Sequence, residues 1–125
     1  MNNATFGEIK FDTGWNKKST IELFGYSYAI IIKAKAYFEE EGITSEQEAS
    51  FVDFIYKKDN IQKTIEESLQ DFSNINASER FTPRTLLFQR DGSYALLLDD
   101  AEDTDNGIVV CIAPNVKLLT QDEYL

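Results

Sequence analysis

Residues Arg84–Leu98 read RTLLFQRDGSYALLL, and the fold turns on this stretch. Asp91-Gly92 is a strong hairpin signal, because a two-residue turn needs positive φ at both central positions and this dipeptide tolerates it. Strands at Arg84–Arg90 and Ser93–Leu98 flank it. A two-residue loop pairs Arg90 with Ser93, and counting outward sets Gln89 opposite Tyr94, Leu87 opposite Leu96 and Thr85 opposite Leu98 on one face. Phe88 with Ala95 and Leu86 with Leu97 fill the other. Both faces are apolar, and an antiparallel pair of that kind needs cover on both sides.

Beyond the hairpin, Ile108–Ala113 repeats the pattern, with Ile108, Val110 and Ile112 opposed to Val109, Cys111 and Ala113. Before it, Ser73 to Pro83 is polar and reads as a loop. Two helices precede that loop. Thr44 or Ser45 caps the first, with Gln47 or Glu48 completing a capping box, and Phe51, Val52, Phe54 and Ile55 form its apolar side through about Lys58. Asp59 is a good N-cap for the second, where Ile61, Ile65, Leu69 and Phe72 line one stripe. The N-terminal third alternates as strands: Phe6–Phe11, Thr20–Phe24 with Ile21 and Leu23 inward, and Tyr26–Tyr37. In the last of these Tyr28, Ile30, Ile32, Ala34 and Ala36 share a face opposite Lys33 and Lys35.

These elements predict one α+β domain over residues 1–125, in the order β-β-β-α-α-β-β-β. A mainly antiparallel sheet of about five to six strands carries two helices packed on one face. The uncovered face calls for loops, the N-terminal strands or a second copy of the chain. A homodimer across that face is therefore expected.

The chain has 125 residues with 22 acids, 12 bases and no His, a net charge of −10. Without His there is no Ser-His-Asp triad, no Cys-His pair and no His-ligated metal. Aromatics at 13% and hydrophobic residues at 42% oppose disorder, which needs low hydrophobicity together with high charge. Cys111 is the single cysteine, so a reducing cytoplasmic setting is expected. The opening MNNATFGEIKF lacks the features of a signal peptide, and no apolar run approaches the roughly 20 residues of a membrane helix. Nucleic acid is an unexpected partner, since a phosphate backbone is held by clustered cations. A basic protein is attracted instead.

The charge is local. Residues 91–125 hold 8 acids and only Lys117, a net of −7. Five of the acids, Asp99, Asp100, Glu102, Asp103 and Asp105, crowd the Asp99–Gly107 connection. No frame there matches a calcium loop, which needs oxygen ligands at fixed spacing, Gly at position 6 and Glu at position 12 between helices. No metal or cofactor is expected. The Glu39-Glu40-Glu41 and Glu66-Glu67 runs are solvated acids rather than a tuned acid–base pair. Cys111, between Val110 and Ile112, reads as a small buried hydrophobe. Lys33 and Lys35 can hold a phosphate or a carboxylate, or mark a solvent-facing strand with Glu22 across the hairpin. Trp15 and the tyrosines Tyr26, Tyr28, Tyr37, Tyr56, Tyr94 and Tyr124 serve equally as core or as binding hot spots.

The segments FGEIKF, RDGSYALLLDD, NGIVVCIAP and TQDEYL resemble a family of short acidic bacterial proteins known as a domain of unknown function, mainly from Gram-positive species. The chain is more distantly similar to domains associated with immunity to bacterial toxins. That likeness implies a closing strand–acidic loop–Gly–strand element at Leu98 through Ile112, and it implies no activity, cofactor or catalytic residue.

The resulting expectation is a non-enzymatic protein-binding module. Asp99, Asp100, Glu102, Asp103 and Asp105 would meet a basic partner as an inhibitor meets a toxin, and neutralising them would leave the fold intact. The alternative expectation is a small-molecule binder with an aromatic pocket between helices and sheet.

Overall fold

In the computed structural model, which describes residues 1–73 and 75–125, the chain opens with a small paired unit, β1 (Asn2–Asn3) and β2 (Gly7–Glu8). A seven-stranded sheet follows: β3 (Lys10–Phe11), β4 (Trp15–Leu23), β5 (Tyr26–Ala34), β6 (Phe81–Phe88), β7 (Tyr94–Asp100), β8 (Ile108–Ala113) and β9 (Lys117–Leu119). The strands lie side by side in chain order, and every neighbouring pair is antiparallel except β5–β6. A parallel pair needs a crossover connection. Here it carries α1 (Ser45–Tyr56), α2 (Lys58–Phe72) and α3 (Ala77–Arg80), while α4 (Gln121–Tyr124) ends the chain.

The α+β class agrees with the sequence pattern, and the differences are local. β9 adds a strand beyond the expected six. Ser73–Pro83 is not simply a loop, since it contains α3 and the start of β6; Asn74 lies outside the described residues. Thr44 is the N-cap of α1 and Gln47 closes the capping box, with Gln47 N donating to Thr44 Oγ1 at 3.0 Å and Thr44 N to Gln47 Oε1 at 2.9 Å. Asp59 does not cap α2, because Lys57 holds that position directly after α1 and the turn never opens. On α1 the buried stripe is Gln47, Phe51 and Phe54, so Val52 and Ile55 face outward. On α2, Ile61, Ile65 and Leu69 are buried and Phe72 lies at the rim.

The hairpin register differs by one residue from the two-residue turn. Phe88 pairs with Tyr94, Leu87 with Ala95 and Leu86 with Leu96. Gln89 N donates to Ser93 O and Gly92 N to Gln89 O, so Arg90, Asp91 and Gly92 form a three-residue loop. Gly92 takes the left-handed position that such loops require, at φ +92°. Helix packing selects this register. The turn lies against α1, where Ser50 Oγ donates to Gly92 O and a Cβ on Gly92 would meet Glu46 O at 3.1 Å. A one-residue slip exchanges faces, so the observed pairing puts Phe88, Tyr94, Leu86 and Leu96 together beneath the helices.

That helix-covered side forms the main core. The Phe88 ring stacks on Tyr94 at 4.8 Å and meets Phe51 and Phe6 edge-on at 5.7 and 5.8 Å. Gln47 is fully buried, and its Nε2 donates to Lys35 O and Phe88 O at 3.0 and 3.1 Å. One side chain therefore caps α1 and ties it to the ends of both parallel strands.

On the opposite side, Ala95, Val109 and Cys111 form a smaller cluster with Leu97, Leu119 and Tyr124 packed against it. Leu119 and Tyr124 of the C-terminal segment thus supply part of the cover this face requires. Burial pushes the Cys111 thiol above its ordinary range, as suits a packed side chain.

Candidate functional site

β7 and β8 project the acidic connection from one end of the sheet. The five acids singled out from the sequence have different fates there. Asp100 is internal: its side chain accepts two bonds from Arg80, Nε to Oδ1 at 2.8 Å and Nη2 to Oδ2 at 3.0 Å. Both members are largely buried, with side chains 12% and 4% exposed for Arg80 and Asp100. The Arg80 guanidinium lies over the Phe72 and Phe81 rings at 5.1 and 4.9 Å. Its bonds hold the Asp100 carboxyl below the usual carboxylate range despite burial. Asp100 also accepts from Glu102 N at 2.9 Å and so shapes the turn after β7. The expectation that Asp100 faces a partner, and that neutralising it spares the fold, is thereby corrected.

Asp99 is exposed and paired with Arg84 across the hairpin at 2.6 Å. An exposed pair of this sort contributes about 0–1 kcal/mol. Glu102 is half exposed, with its carboxylate 3.7 Å from Arg80. Asp103 accepts from Asn106 Nδ2 at 3.2 Å, and its carbonyl receives Gly107 N at 2.9 Å. Asp105 stands exposed at the tip, with no ion pair among the described residues.

The tip is fixed from its far side by α4. Gln121 N donates to Asn106 O at 3.2 Å, and Gln121 Nε2 donates to Leu98 O at 3.0 Å. These bonds set exposed Asp122 beside the loop. Gly107 sits in the crevice at φ +61°, where a Cβ would lie 2.5 Å from Gln121 Nε2 and 2.8 Å from Leu98 O. The acidic surface that emerges is Glu102, Asp103 and Asp105 on a braced loop, with Asp122 on the adjoining α4. Asp122 escaped the sequence reading because only the tertiary contact of α4 brings it there.

Trp15 is buried against Phe11, edge-on at 5.3 Å. Tyr26, Tyr37 and Tyr56 are exposed, Tyr28 and Tyr124 half-buried, and Tyr94 is core. Burial, aided by Asp53, pushes the Tyr94 hydroxyl far above its ordinary range. Glu41 accepts from Tyr37 N and Phe38 N, and Glu66 from Phe24 N, so both acids hold backbone turns. Glu22 pairs with Ser27, away from Lys33, whose cross-strand neighbour is Asn16. Lys35 lies over the Tyr37 ring at 5.5 Å.

Four carboxyls, Glu41, Asp91, Asp100 and Glu123, are drawn below their ordinary range, each chiefly by a hydrogen bond it accepts. A general acid needs the opposite displacement. Among the described residues no set of three His, Cys, Asp or Glu side chains is placed to hold a metal, and no helix is long and apolar enough to cross a membrane. Comparison with protein-family models, curated proteins and solved structures returned no match to this chain.

Proposed function

We propose that this chain is a non-enzymatic protein-binding module whose acidic tip receives a basic surface on a partner protein. The supporting observation is the division of labour among the acids. Asp100 and Gln121 brace the loop from within, while Glu102, Asp103, Asp105 and Asp122 carry its charge outward. A loop already held in one geometry forfeits less entropy on binding than a mobile one. Its concentrated charge speeds encounter and selects a cationic partner. In this reading the mode of action is inhibitor-like, by occlusion of the partner's basic surface, in a cytoplasmic setting.

The test compares capture from native lysate by the wild type and by a Glu102→Gln/Asp105→Asn/Asp122→Asn variant, at low and high salt. Loss of a basic protein both in the variant and at high salt is expected, because exposed charge pairs are screened beyond about 10 Å at 0.1 M salt. Capture unaltered by the three substitutions would sink the reading. Gly107→Ala tests bracing separately, since it keeps every charge. It forces a Cβ against Gln121 and Leu98 at positive φ, with an expected destabilisation of about 1–3 kcal/mol. Capture should weaken in this variant at a temperature where thermal unfolding shows it still native.

A further inference from the structure

The sheet register gathers cations that are scattered in the sequence. Lys10 pairs with Asn16, and Asn16 with Lys33. Two rungs along, and so on the same face, Lys18 pairs with Ile31, and Ile31 with Thr85. Cross-strand partners share a face, so these side chains lie together on the side away from α1 and α2. The segment from Glu8 to Thr13 walls this face and leaves a groove of about 710 Å³. That volume falls within the usual range for small-molecule sites, ~300–1,000 Å³.

The lining departs from the rest of the molecule. It holds Lys10, Lys17, Lys18 and Lys33 against Glu8 and Asp12, in a protein of net charge −10. Among the described residues none of these four ammonium groups lies within 4.0 Å of a carboxylate. Lys17 is held by Phe6 O at 2.5 Å, which leaves Lys10, Lys18 and Lys33 to meet a ligand. Half-buried Ile31 gives the groove an apolar portion.

A second observation points to a ligand. Asn16 Oδ1 is buried without a hydrogen-bond donor among the described residues. Its Nδ2 is already committed to Asp12 O at 2.6 Å and Gly14 O at 3.0 Å, so the amide is held with its acceptor free. A buried acceptor left unpaired is costly, and because Asn16 lines the groove, a ligand O–H or N–H that displaces the atoms covering Oδ1 would satisfy it. Beside it, Thr13 sits at φ +52°, a conformation seldom adopted without cause by a residue other than Gly, Asn or Asp.

We propose that this groove binds a small organic phosphate bearing at least two negative charges and a hydrogen-bond donor. Lysine is a compact point charge that binds phosphate, and several ammonium groups along one groove suit a ligand carrying more than one negative charge. The apolar portion favours an organic ligand over an inorganic ion. Glu8 and Asp12 at the groove, with the overall negative charge, disfavour a nucleic-acid strand. The site is separate from the acidic tip: it lies over β3 to β6, toward the opposite end of the strands.

The test is titration calorimetry of the full chain with adenosine 5′-diphosphate, pyrophosphate and citrate, repeated on Lys18→Gln/Lys33→Gln. The diphosphate nucleoside should bind more tightly than pyrophosphate, citrate more weakly than either, and the variant should lose at least about tenfold in affinity for both phosphates. Unfolding followed by Trp15 fluorescence should be the same in variant and wild type, and partner capture by the tip should be unchanged. Citrate binding as tightly as the phosphates would overturn the assignment to phosphate. Phosphate binding unaltered by the two substitutions, or absent at millimolar ligand, would overturn the site.

Discussion

Asp100→Ala is expected to cost about 3 kcal/mol, because the buried Arg80 guanidinium, packed on Phe72 and Phe81, loses both charge-assisted bonds and keeps only half-exposed Glu102, at 3.7 Å, as counter-charge. A surface acid of the same loop sets the contrast: Asp105→Ala should change stability by less than about 0.5 kcal/mol. Urea unfolding read by Trp15 fluorescence measures both. If Asp100→Ala costs no more than Asp105→Ala, the internal role of Asp100 is wrong. Replacing the pair together, Arg80→Met with Asp100→Leu, should recover most of the loss, since apolar groups of similar size dispense with two desolvated charges.

The same pair makes stability depend on acid. The folded-state pKa of Asp100 is depressed below that of the unfolded chain. Its contribution is therefore fully present above about pH 4 and is lost as pH falls through the folded value. Asp100→Asn should be less stable at neutral pH and show a shallower decline on acidification. An identical pH slope in wild type and Asp100→Asn would show that this carboxyl does not titrate with unfolding.

Phe88→Ala is the second large effect, at about 3–5 kcal/mol. Phe88 is wholly buried and touches the rings of Tyr94, Phe51 and Phe6, which come from β7, α1 and the N-terminal segment. Removing the ring opens a cavity between elements distant in sequence, and hydrogen bonds to Phe88 O from Lys35 N and the Gln47 side-chain Nε2 limit how far they can collapse into it. The midpoint of urea unfolding should fall with little change in slope. A loss under about 1 kcal/mol would mean that the core closes over the gap and that Phe88 is not its centre.

Local chemistry was legible from the sequence. A capping box at Thr44 or Ser45, the stripe from Ile61 to Phe72 and the inward face of the strand from Tyr26 each depend on residues a few positions apart. The box forms at Thr44 and Gln47, the stripe holds except for exposed Phe72, and the strand keeps Ile30, Ile32 and Ala34 inward but ends at Ala34. What failed depends on distant partners. Asp91-Gly92 marks the right turn, but the contact of Gly92 with α1 selects the longer loop. Asp100 looks like its exposed neighbours until Arg80, from α3, is folded against it. Lys33 reads beside Lys35 as a phosphate or carboxylate holder or a solvent-facing position, whereas the strand register sets it instead beside Lys10 and Lys18, which nothing in the local pattern marks. The parallel β5–β6 junction was equally hidden, because strand direction across a helical connection leaves no mark on either strand.

That junction has a consequence for how the chain reaches its native state. Only four rungs join the two halves of the sheet, from Ile31–Thr85 to Ala34–Phe88, whereas β3–β5 and β6–β9 are meanders of neighbouring strands. Local pairings form ahead of those that must first close a long loop. The two meanders are therefore expected to assemble early, with the whole helical segment between Ala34 and Phe81 still to be ordered. Closure of the seam then joins the edges of β5 and β6, which until that moment are open to pairing with another chain. Gln47, bonded to both sides of the seam, would act as its latch.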